Sequence, residues 1–405
     1  MRRLAVLSLH TSPLAQPGSG DGGGMNVYVR QLAAGLARRG VEVDVYTRAD
    51  DPSLPAVVAA EPGLHVHHIA AGPLGPLPKG RLPGIVAEFV DGVGARMAGD
   101  HPADAIHANY WLSGVAGHEL KHRFDVPLGC TFHTLARVKG EDAGDPTGRD
   151  RAEAAVMGCC DAVLASCPDE ADQLVRLYGV DPERVAIVAP GVDHAFFGPG
   201  SRAGARRAIG VDPAVPVVLH VGRIQQLKGL EVAVEAFARL DRPAPAPVLV
   251  VVGGPSGPGG AAYLEQVGRR ARQLGVADRI RWIAPQPHET LASYYRAADV
   301  VLVPSQSESF GLVALEAAAC GTPVVATAVG GLHTLVLDGR TGYLRDRRPE
   351  PFAAAAGRIL ADPDHAAALG VAAARHARSF TWGSAARRLD RLFSELTDRV
   401  PVACT

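Results

Sequence analysis

PVVLHVGRIQQLKGLEVAVEAFARL, Pro216 to Leu240, decides the fold. Pro216 to Val221 is an apolar run of strand length, Gly229 to Leu240 reads as a helix, and the loop between them carries Gly222, Arg223 and Lys228. A strand that feeds a helix through a short loop is the front half of a parallel crossover unit. The same alternation continues outward in both directions. Downstream, strands are expected at Val248 to Gly253, Arg279 to Ile283, Val300 to Val303 and Pro323 to Ala326, with helices at Tyr263 to Leu274 and from His288, Gly311 and Pro351. Upstream, Leu4 to Leu9, Val41 to Thr47, Leu64 to Ala70, Ala105 to Ala108, Val126 to Phe132, Ala162 to Ala165 and Arg184 to Val188 read as strands, and Met25 to Arg39 as the first helix. Turn formers at Pro190-Gly191 and Phe197 to Gly200 interrupt the series. The expectation is an α/β chain of two doubly wound, Rossmann-like domains, 1–190 and 191–381, the first completed by a C-terminal helix within 382–405. Ligands of open parallel sheets bind at the C-terminal strand edge, so site residues should come from strand-to-helix loops.

The 405 residues carry a formal net charge of -1, with 47% hydrophobic and 20% charged residues. That balance supports a sizeable aliphatic core and argues against disorder and against a nucleic-acid partner. Apolar runs such as Val248 to Val252 are far too short to span a bilayer, and the residues between Arg3 and His10 are too few for a secretory core. Cys130, Cys159, Cys160, Cys167, Cys320 and Cys404 form neither a C-x-x-C pair nor a zinc-like spacing, and a chain this long needs no disulfide staples. A reducing cytoplasm is the expected location. Of 41 Lys plus Arg, only Lys79, Lys121, Lys139 and Lys228 are lysine. Coding bias explains the shortage, but where Arg is the default a retained Lys suggests a tight site for a compact ammonium. Lys121 alone reads as ordinary surface.

Three strand-to-helix loops carry the chemistry. In Gly18 to Asn26, GSGDGGGMN, backbone N–H groups at a helix N-terminus can meet a phosphate without side-chain obstruction; a flexible structural loop is the alternative. In Val221 to Gly229, Arg223 and Lys228 set two cations at a helix start, against the helix dipole, which makes sense with an anion between them; a solvated surface pair is the other reading. In Pro304 to Ala317, Glu308 lies in a loop and Glu316 inside a helix beside Leu315 and Ala317. A buried carboxylate there needs hydrogen-bond donors, which sugar hydroxyls would supply; a helix cap at Glu308 and a core salt bridge at Glu316 are the alternatives. The D-x-D triple Asp362-Pro-Asp364 sits beside a helix start far from these loops, so no metal is expected in the chemistry.

The Glu308/Glu316 pair, the preceding G-R-x-x-x-x-K-G of Gly222 to Gly229 and the G-G-G-M-N of Gly22 to Asn26 together resemble the retaining GT-B glycosyltransferases of family four, over nearly the whole chain. His10 to Leu14, Gly20 to Tyr28, Tyr110 to Gly114 and Gly253 to Gly257 resemble the branch that glycosylates D-inositol 3-phosphate in mycothiol biosynthesis. The resemblance implies two domains facing each other across a cleft, the first taking the acceptor and the second a nucleotide sugar. Arg223, Lys228 and the Gly24 backbone would hold the diphosphate, Glu316 the ribose hydroxyls, and Glu308 the donor sugar, with Phe310, Gly311 and Leu312 beside it. His133 would face the sugar near the reacting carbon, making a catalytic set with Arg223, Lys228 and Glu308. Lys79, Tyr110, Thr134 and Arg149 match positions that bind the acceptor phosphate, and Asn26 and Lys139 fall in loops that line the inositol. The implied donor is UDP-N-acetylglucosamine and no cofactor or metal is required. The expected partners are a small-molecule donor and acceptor; charge balance and run length argue against nucleic acid and an integral membrane segment, and a homodimer is the expected oligomer. The resemblance also implies retention by front-face attack, the departing diphosphate accepting the acceptor's proton, so the protein would position the substrates and stabilise the leaving charge.

Three segments depart from that branch. Gly80-Arg81 follow Lys79 where acidic residues are usual, Asn109 stands in His107-Ala-Asn109-Tyr-Trp111 where a second His is usual, and Gly140 follows Lys139 where Asn is usual. They touch the acceptor side, and keep open a related transferase of natural-product biosynthesis acting on an aminocyclitol, a free cyclitol or a thiol, with a UDP or GDP sugar. An NAD-dependent oxidoreductase would share the doubly wound domains without explaining Glu308 and Glu316, and a pyridoxal phosphorylase would need a lysine at its site. A non-catalytic nucleotide-sugar sensor would bind the donor without turnover.

Overall fold

The computed structural model describes residues 1–18, 22–99, 102–140, 148–241, 245–257 and 259–404, so Gly20 of the Gly-rich loop lies outside the described residues. The chain divides into two compact units: Met1–Ala15, Gly24–Gly191 and Trp382–Thr405 form unit one, and Gln16–Gly23 with Val192–Thr381 form unit two.

Unit one is built on β1 Arg3–Leu7, β2 Glu42–Arg48, β3 Val57–Glu61, β4 Leu64–Ile69, β5 Ala105–Asn109, β6 Leu128–Thr131, β7 Ala162–Ala165 and β8 Val185–Ile187. They form one sheet in the order β3-β4-β2-β1-β5-β6-β7-β8. All neighbours run parallel except β3, which pairs antiparallel with β4 at the edge. The sequence reading has no strand at β3, because an edge strand with no fully buried position lacks the continuous apolar run of its neighbours. Every residue of β5 is buried, as expected of a strand covered on both faces by helices. Those helices are α1 Gly24–Ala37, α2 Val86–Met97, α3 Trp111–Phe124, α4 Ala136–Lys139, α5 Arg149–Cys159 and α6 Pro168–Tyr178.

Unit two has β9 Val217–Val221, β10 Val248–Val252, β11 Ile280–Ile283, β12 Val300–Val303, β13 Val324–Thr327 and β14 Gly342–Arg345, all parallel, in the order β11-β10-β9-β12-β13-β14. The short final strand is a further addition to the sequence reading. Its helices are α7 Arg202–Ala208, α8 Leu230–Ala238, α9 Gly260–Gln273, α10 His288–Ala297, α11 Leu312–Ala319, α12 Leu332–Leu335, α13 Pro349–Ala361 and α14 Pro363–Ala377. Counted within the unit, this is the Rossmann strand order. The order reverses between β9 and β12 here, and between β1 and β5 in unit one. At such a reversal the crossover helices leave to opposite faces, opening a crevice at the C-terminal strand ends. The chain then returns to unit one as α15 Trp382–Thr397, which lies on α1 so closely that a Cβ at Gly35 would come within 2.9 Å of the Ala386 Cβ.

Two expectations are overturned in unit one. Lys121 is not surface: it is 2% exposed, on the face of α3 that packs in the unit, and its Nζ donates to Asp161 Oδ2 at 2.7 Å and to the Cys159 carbonyl at 2.8 Å. Nor is the chain without a disulfide, since Cys159 and Cys404 are joined across a separation of 245 residues. Both depend on where α5, β7 and the C-terminal tail meet, which residue spacing does not disclose. Among the described residues, no helix is long and apolar enough to cross a membrane.

Candidate active site

In unit two the candidate residues follow the two strands that flank the reversal. Arg223 comes two residues after β9 and lies against the end of the Gly-rich loop, where a Cβ at Gly23 would be 3.3 Å from Arg223 Nε. Lys228 ends a 3-10 turn, Gln226–Lys228, so both cations precede α8 rather than start it. The Lys228 Nζ donates to Glu308 Oε2 at 2.6 Å, and Ser305 Oγ donates to the same oxygen at 3.2 Å. Thus the two residues expected to serve the diphosphate and the sugar hold one another here. Their side chains are 25% and 18% exposed, accessible enough to exchange partners with a ligand.

The backbone of Glu308 to Phe310 rests on Gly330 and Gly331. The Gly331 N–H donates to the Glu308 carbonyl at 3.0 Å, and a Cβ at Gly331 would overlap Phe310 and Ser309 backbone atoms. Phe310 is buried, edge-on to Phe380, and Gly311 adopts φ 103 to cap α11, whose first residue is the partly buried Leu312. Glu316 is buried on α11 and accepts the Tyr295 hydroxyl at 2.7 Å. Burial pushes its carboxyl above the ordinary range, against the pull of His288 and of the Tyr295 hydrogen bond. The core salt bridge weighed for Glu316 is instead a neutral tyrosine donor. Tyr295 escapes sequence reasoning because it comes from α10, with no local pattern to mark it.

In unit one, Tyr110, Thr134 and Arg149 are brought together. Tyr110 follows β5 with φ 76, its N–H donates to the Thr131 carbonyl at 2.8 Å, and its ring stands 4.4 Å from His10. The Arg149 guanidinium lies over that ring at 5.0 Å and donates from Nη2 to Thr134 Oγ1 at 3.0 Å and from Nε to Glu153 Oε1 at 2.8 Å. Arg149 is thus buried and already paired with a carboxylate, so its cationic charge is partly offset. His133 also has positive φ, at 62, so two strained non-glycine residues follow the central strands β5 and β6, as at many binding sites. Its Nε2 donates to Asn109 Oδ1 at 2.9 Å and its ring meets Tyr28 edge-on at 4.9 Å. Burial, with His107 and His10 nearby, holds His133 down at about 3, a neutral imidazole at physiological pH. Asn109 is fully buried and its Nδ2 has no partner among the described residues, so the departure noted at this position sits directly on His133.

The remaining residues are more dispersed in role. Asn26 is buried on α1, tied by Nδ2 to Thr11 Oγ1 at 2.6 Å and the Ser12 carbonyl at 2.5 Å, which fastens the helix to the loop after β1. Gly24 opens the same helix. Lys79 is exposed at the start of the 3-10 turn Lys79–Ile85, and Lys139 is partly buried at the end of α4. Asp362 of the D-x-D triple caps α14 by accepting the His365 N–H at 2.9 Å. Sequence reasoning also missed a gathering of His118, His122, Cys159 and Cys404 in unit one; the spacing of the two histidines on one helix was its only local signal.

Two family models match the chain: Glycosyl transferase 4-like domain over residues 23–191 and Glycosyl transferases group 1 over residues 202–376. The chain is 48% identical to the D-inositol 3-phosphate glycosyltransferase of Actinosynnema mirum, with 98% of each chain covered. It is 48% identical to that of Rhodococcus opacus, over 94% of this chain and 87% of the relative. Among solved structures, sucrose-phosphate synthase from Thermosynechococcus elongatus superposes with a TM-score of 0.92 at 35% identity, covering 98% of this chain and 100% of that one. Anabaena HepE, solved with UDP and glucose, shares the fold at a TM-score of 0.78 and 21% identity, covering 98% of this chain and 100% of that one. Two Rossmann-like units of the GT-B kind, carrying two glycosyltransferase models and a likeness that runs the length of the chain, leave one assignment: this enzyme belongs to the D-inositol 3-phosphate glycosyltransferase family.

Proposed function

We propose that the enzyme transfers N-acetylglucosamine from UDP-N-acetylglucosamine to a hydroxyl of D-inositol 3-phosphate, releasing UDP, with retention at the anomeric carbon. The observation that carries the reading is the full-length identity to relatives named for that acceptor. In this reading unit two takes the donor and unit one, completed by α15, the acceptor. Arg223 and Lys228, with the Gly24 N–H, hold the diphosphate; Glu308 exchanges Lys228 for sugar hydroxyls, beside Phe310, Gly311 and Leu312; and Glu316 receives the ribose. Lys79, Tyr110, Thr134 and Arg149 take the acceptor phosphate, with Asn26 and Lys139 at the inositol. Because Arg149 is already shared with Glu153 and Thr134, much of its part is to orient Thr134 and the Tyr110 ring.

The chemistry follows from charge. As the glycosidic bond lengthens, negative charge grows on the β-phosphate, and two cations placed in advance stabilise it without reorganisation. The departing phosphate oxygen takes the acceptor's proton on the same face, so no enzyme carboxylate forms a covalent intermediate, and Arg223 and Lys228 supply the positive charge that a metal would otherwise bring to the leaving group. His133, neutral and oriented by Asn109, hydrogen-bonds the sugar rather than moving a proton. A cytoplasmic homodimer is the working form in this reading, with Cys159 and Cys404 joined as the disulfide or held as thiols.

A donor-by-acceptor matrix tests this. UDP and GDP sugars are crossed with inositol 1-phosphate, inositol 3-phosphate, free inositol and aminocyclitols, and the product is read by mass and anomeric configuration. Turnover confined to UDP-N-acetylglucosamine and inositol 3-phosphate is the expected result. Asn109 against His133 favours a second reading, a related transferase with an unphosphorylated cyclitol acceptor. Preference for such an acceptor, with indifference to Lys79→Ala, would replace the first reading by the second.

A further inference from the structure

The proposed reaction uses none of His118, His122, Cys159 and Cys404. His118 and His122 stand one turn apart on the same face of α3, their rings 5.0 Å apart, Cys159 ends α5, and Cys404 arrives on the tail beyond α15. Their ligand atoms all lie within 4.8 Å of one another. Cys404 Sγ is 3.0 Å from His122 Nε2 and 3.3 Å from His118 Nε2. Around a tetrahedral Zn2+ with bonds of about 2.0–2.3 Å, neighbouring ligand atoms stand about 3.3–3.8 Å apart; Cys404 Sγ already lies close to that spacing from both imidazoles, and the two sulfurs reach it once their disulfide is opened.

The surroundings hold both cysteines in place. Asp161 Oδ1 accepts the Val402 N–H at 2.6 Å, two residues before Cys404, while its Oδ2 accepts Lys121 Nζ at 2.7 Å. The same ammonium donates to the Cys159 carbonyl at 2.8 Å. One buried ion pair therefore fixes the backbone beside each sulfur, the kind of outer support that orients metal ligands. Lys121 lies between the two histidines in sequence but faces inward, which leaves the imidazoles to face the sulfurs.

We infer that in its dithiol form this cluster is a Zn2+ site of two thiolates and two imidazoles that fastens the C-terminal tail to α3 and α5. Binding releases the two thiol protons and makes two Zn–S and two Zn–N bonds, with no transfer of electrons. The Cys159–Cys404 disulfide and the metal are exclusive occupants of the same sulfurs. The site forms from the thiols in which the chain is synthesised, and a phosphine reductant regenerates it from the disulfide.

The full chain, kept in a phosphine reductant, is loaded with Zn2+ alone or Co2+ alone, freed of excess metal, and read by metal analysis, native mass and absorption. One Zn2+ per chain is expected, with the mass of the thiol form plus zinc less two protons, and Co2+ should show thiolate charge-transfer and intense tetrahedral bands. His122→Ala, at an exposed position, and Cys404→Ser, in the tail, should each weaken binding by more than about 100-fold while leaving the circular dichroism unchanged. Substoichiometric metal in the parent, metal retained by both variants, or a reduced chain that keeps the disulfide and binds none would overturn the inference. The four remaining cysteines are buried, so their binding of the probe would appear as the second of these results.

Discussion

Lys121→Met removes one ammonium from the interior of unit one and tests how much that unit depends on it. The Asp161 carboxylate it faces also accepts the Leu128 N–H at 2.7 Å and the Val402 N–H at 2.6 Å. Methionine keeps the length and apolar stem but leaves Asp161 charged, with backbone donors alone. Removing one partner of a buried pair costs about 3–5 kcal/mol. The two remaining bonds, each worth about 1.5–3 kcal/mol to a charged acceptor, keep the loss at the lower end, ~3 kcal/mol. Lys121→Arg keeps the charge but forces a larger head into a closed site, an overpacking cost of about 1–3 kcal/mol. A two-unit chain gives no single unfolding free energy, so native-state hydrogen exchange resolved by peptide is the assay. Amides of α3 and β6 should exchange on the order of 100-fold faster in Lys121→Met, since each 1.4 kcal/mol is roughly tenfold, with β9 and β10 unaffected. Exchange within about twofold of the parent in both variants would refute the argument.

Other outcomes follow from the same geometry. Glu308→Gln releases Lys228 from its partner, so transfer should fall by on the order of 100- to 1000-fold while calorimetry shows UDP binding no weaker than in the parent. Tyr295→Phe removes a donor from buried Glu316, which should raise the donor KM and push the carboxyl further up, visible as lost donor affinity at mildly acidic pH. Burial holds His107 at about 3 and His220 at about 4, below the ordinary 6.5, so both stay neutral when folded. The unfolded chain then binds more protons below 6.5, and stability should fall with decreasing pH by about 1.4 kcal/mol per unit for each buried histidine. Thermal melts between about pH 7 and pH 5 should be less pH-dependent in His107→Gln and His220→Gln; unchanged slopes would count against both assignments.

What could be read from the sequence follows burial. β5, β9 and β12 are covered on both faces and announce themselves as apolar runs, so the alternation of strand and helix is visible. β3 and β14 lie at sheet edges and carry no such run. The loops after β9 and β12 were also legible, because cations at a helix entrance and a glutamate among alanines need a reason locally. Pairings were not. Lys228 meets Glu308 across 80 residues, Glu316 meets Tyr295 between two helices, and Lys121 meets Asp161 40 residues on. The scarcity of lysine did point to tight sites for a compact ammonium, but Lys121, set aside as surface, is the one the fold most completely encloses.

The return of α15 to α1 has a consequence for the order in which the molecule is made. When Gly191 leaves the ribosome, unit one still lacks its last helix, and the face of α1 around Gly35 is without Ala386 and Trp382, which cover it in the finished unit. Most of unit two must be translated before Trp382 appears, an interval of roughly 10–40 s at about 5–20 residues per second. For that time the nascent first half is an incomplete domain with an apolar groove open to chaperones or to a neighbouring chain, while the second half emerges as one nearly continuous segment. The enzyme is therefore closed last at the end it began, and a ribosome stalled between the two units would leave a fragment whose first helix is covered on its sheet side alone.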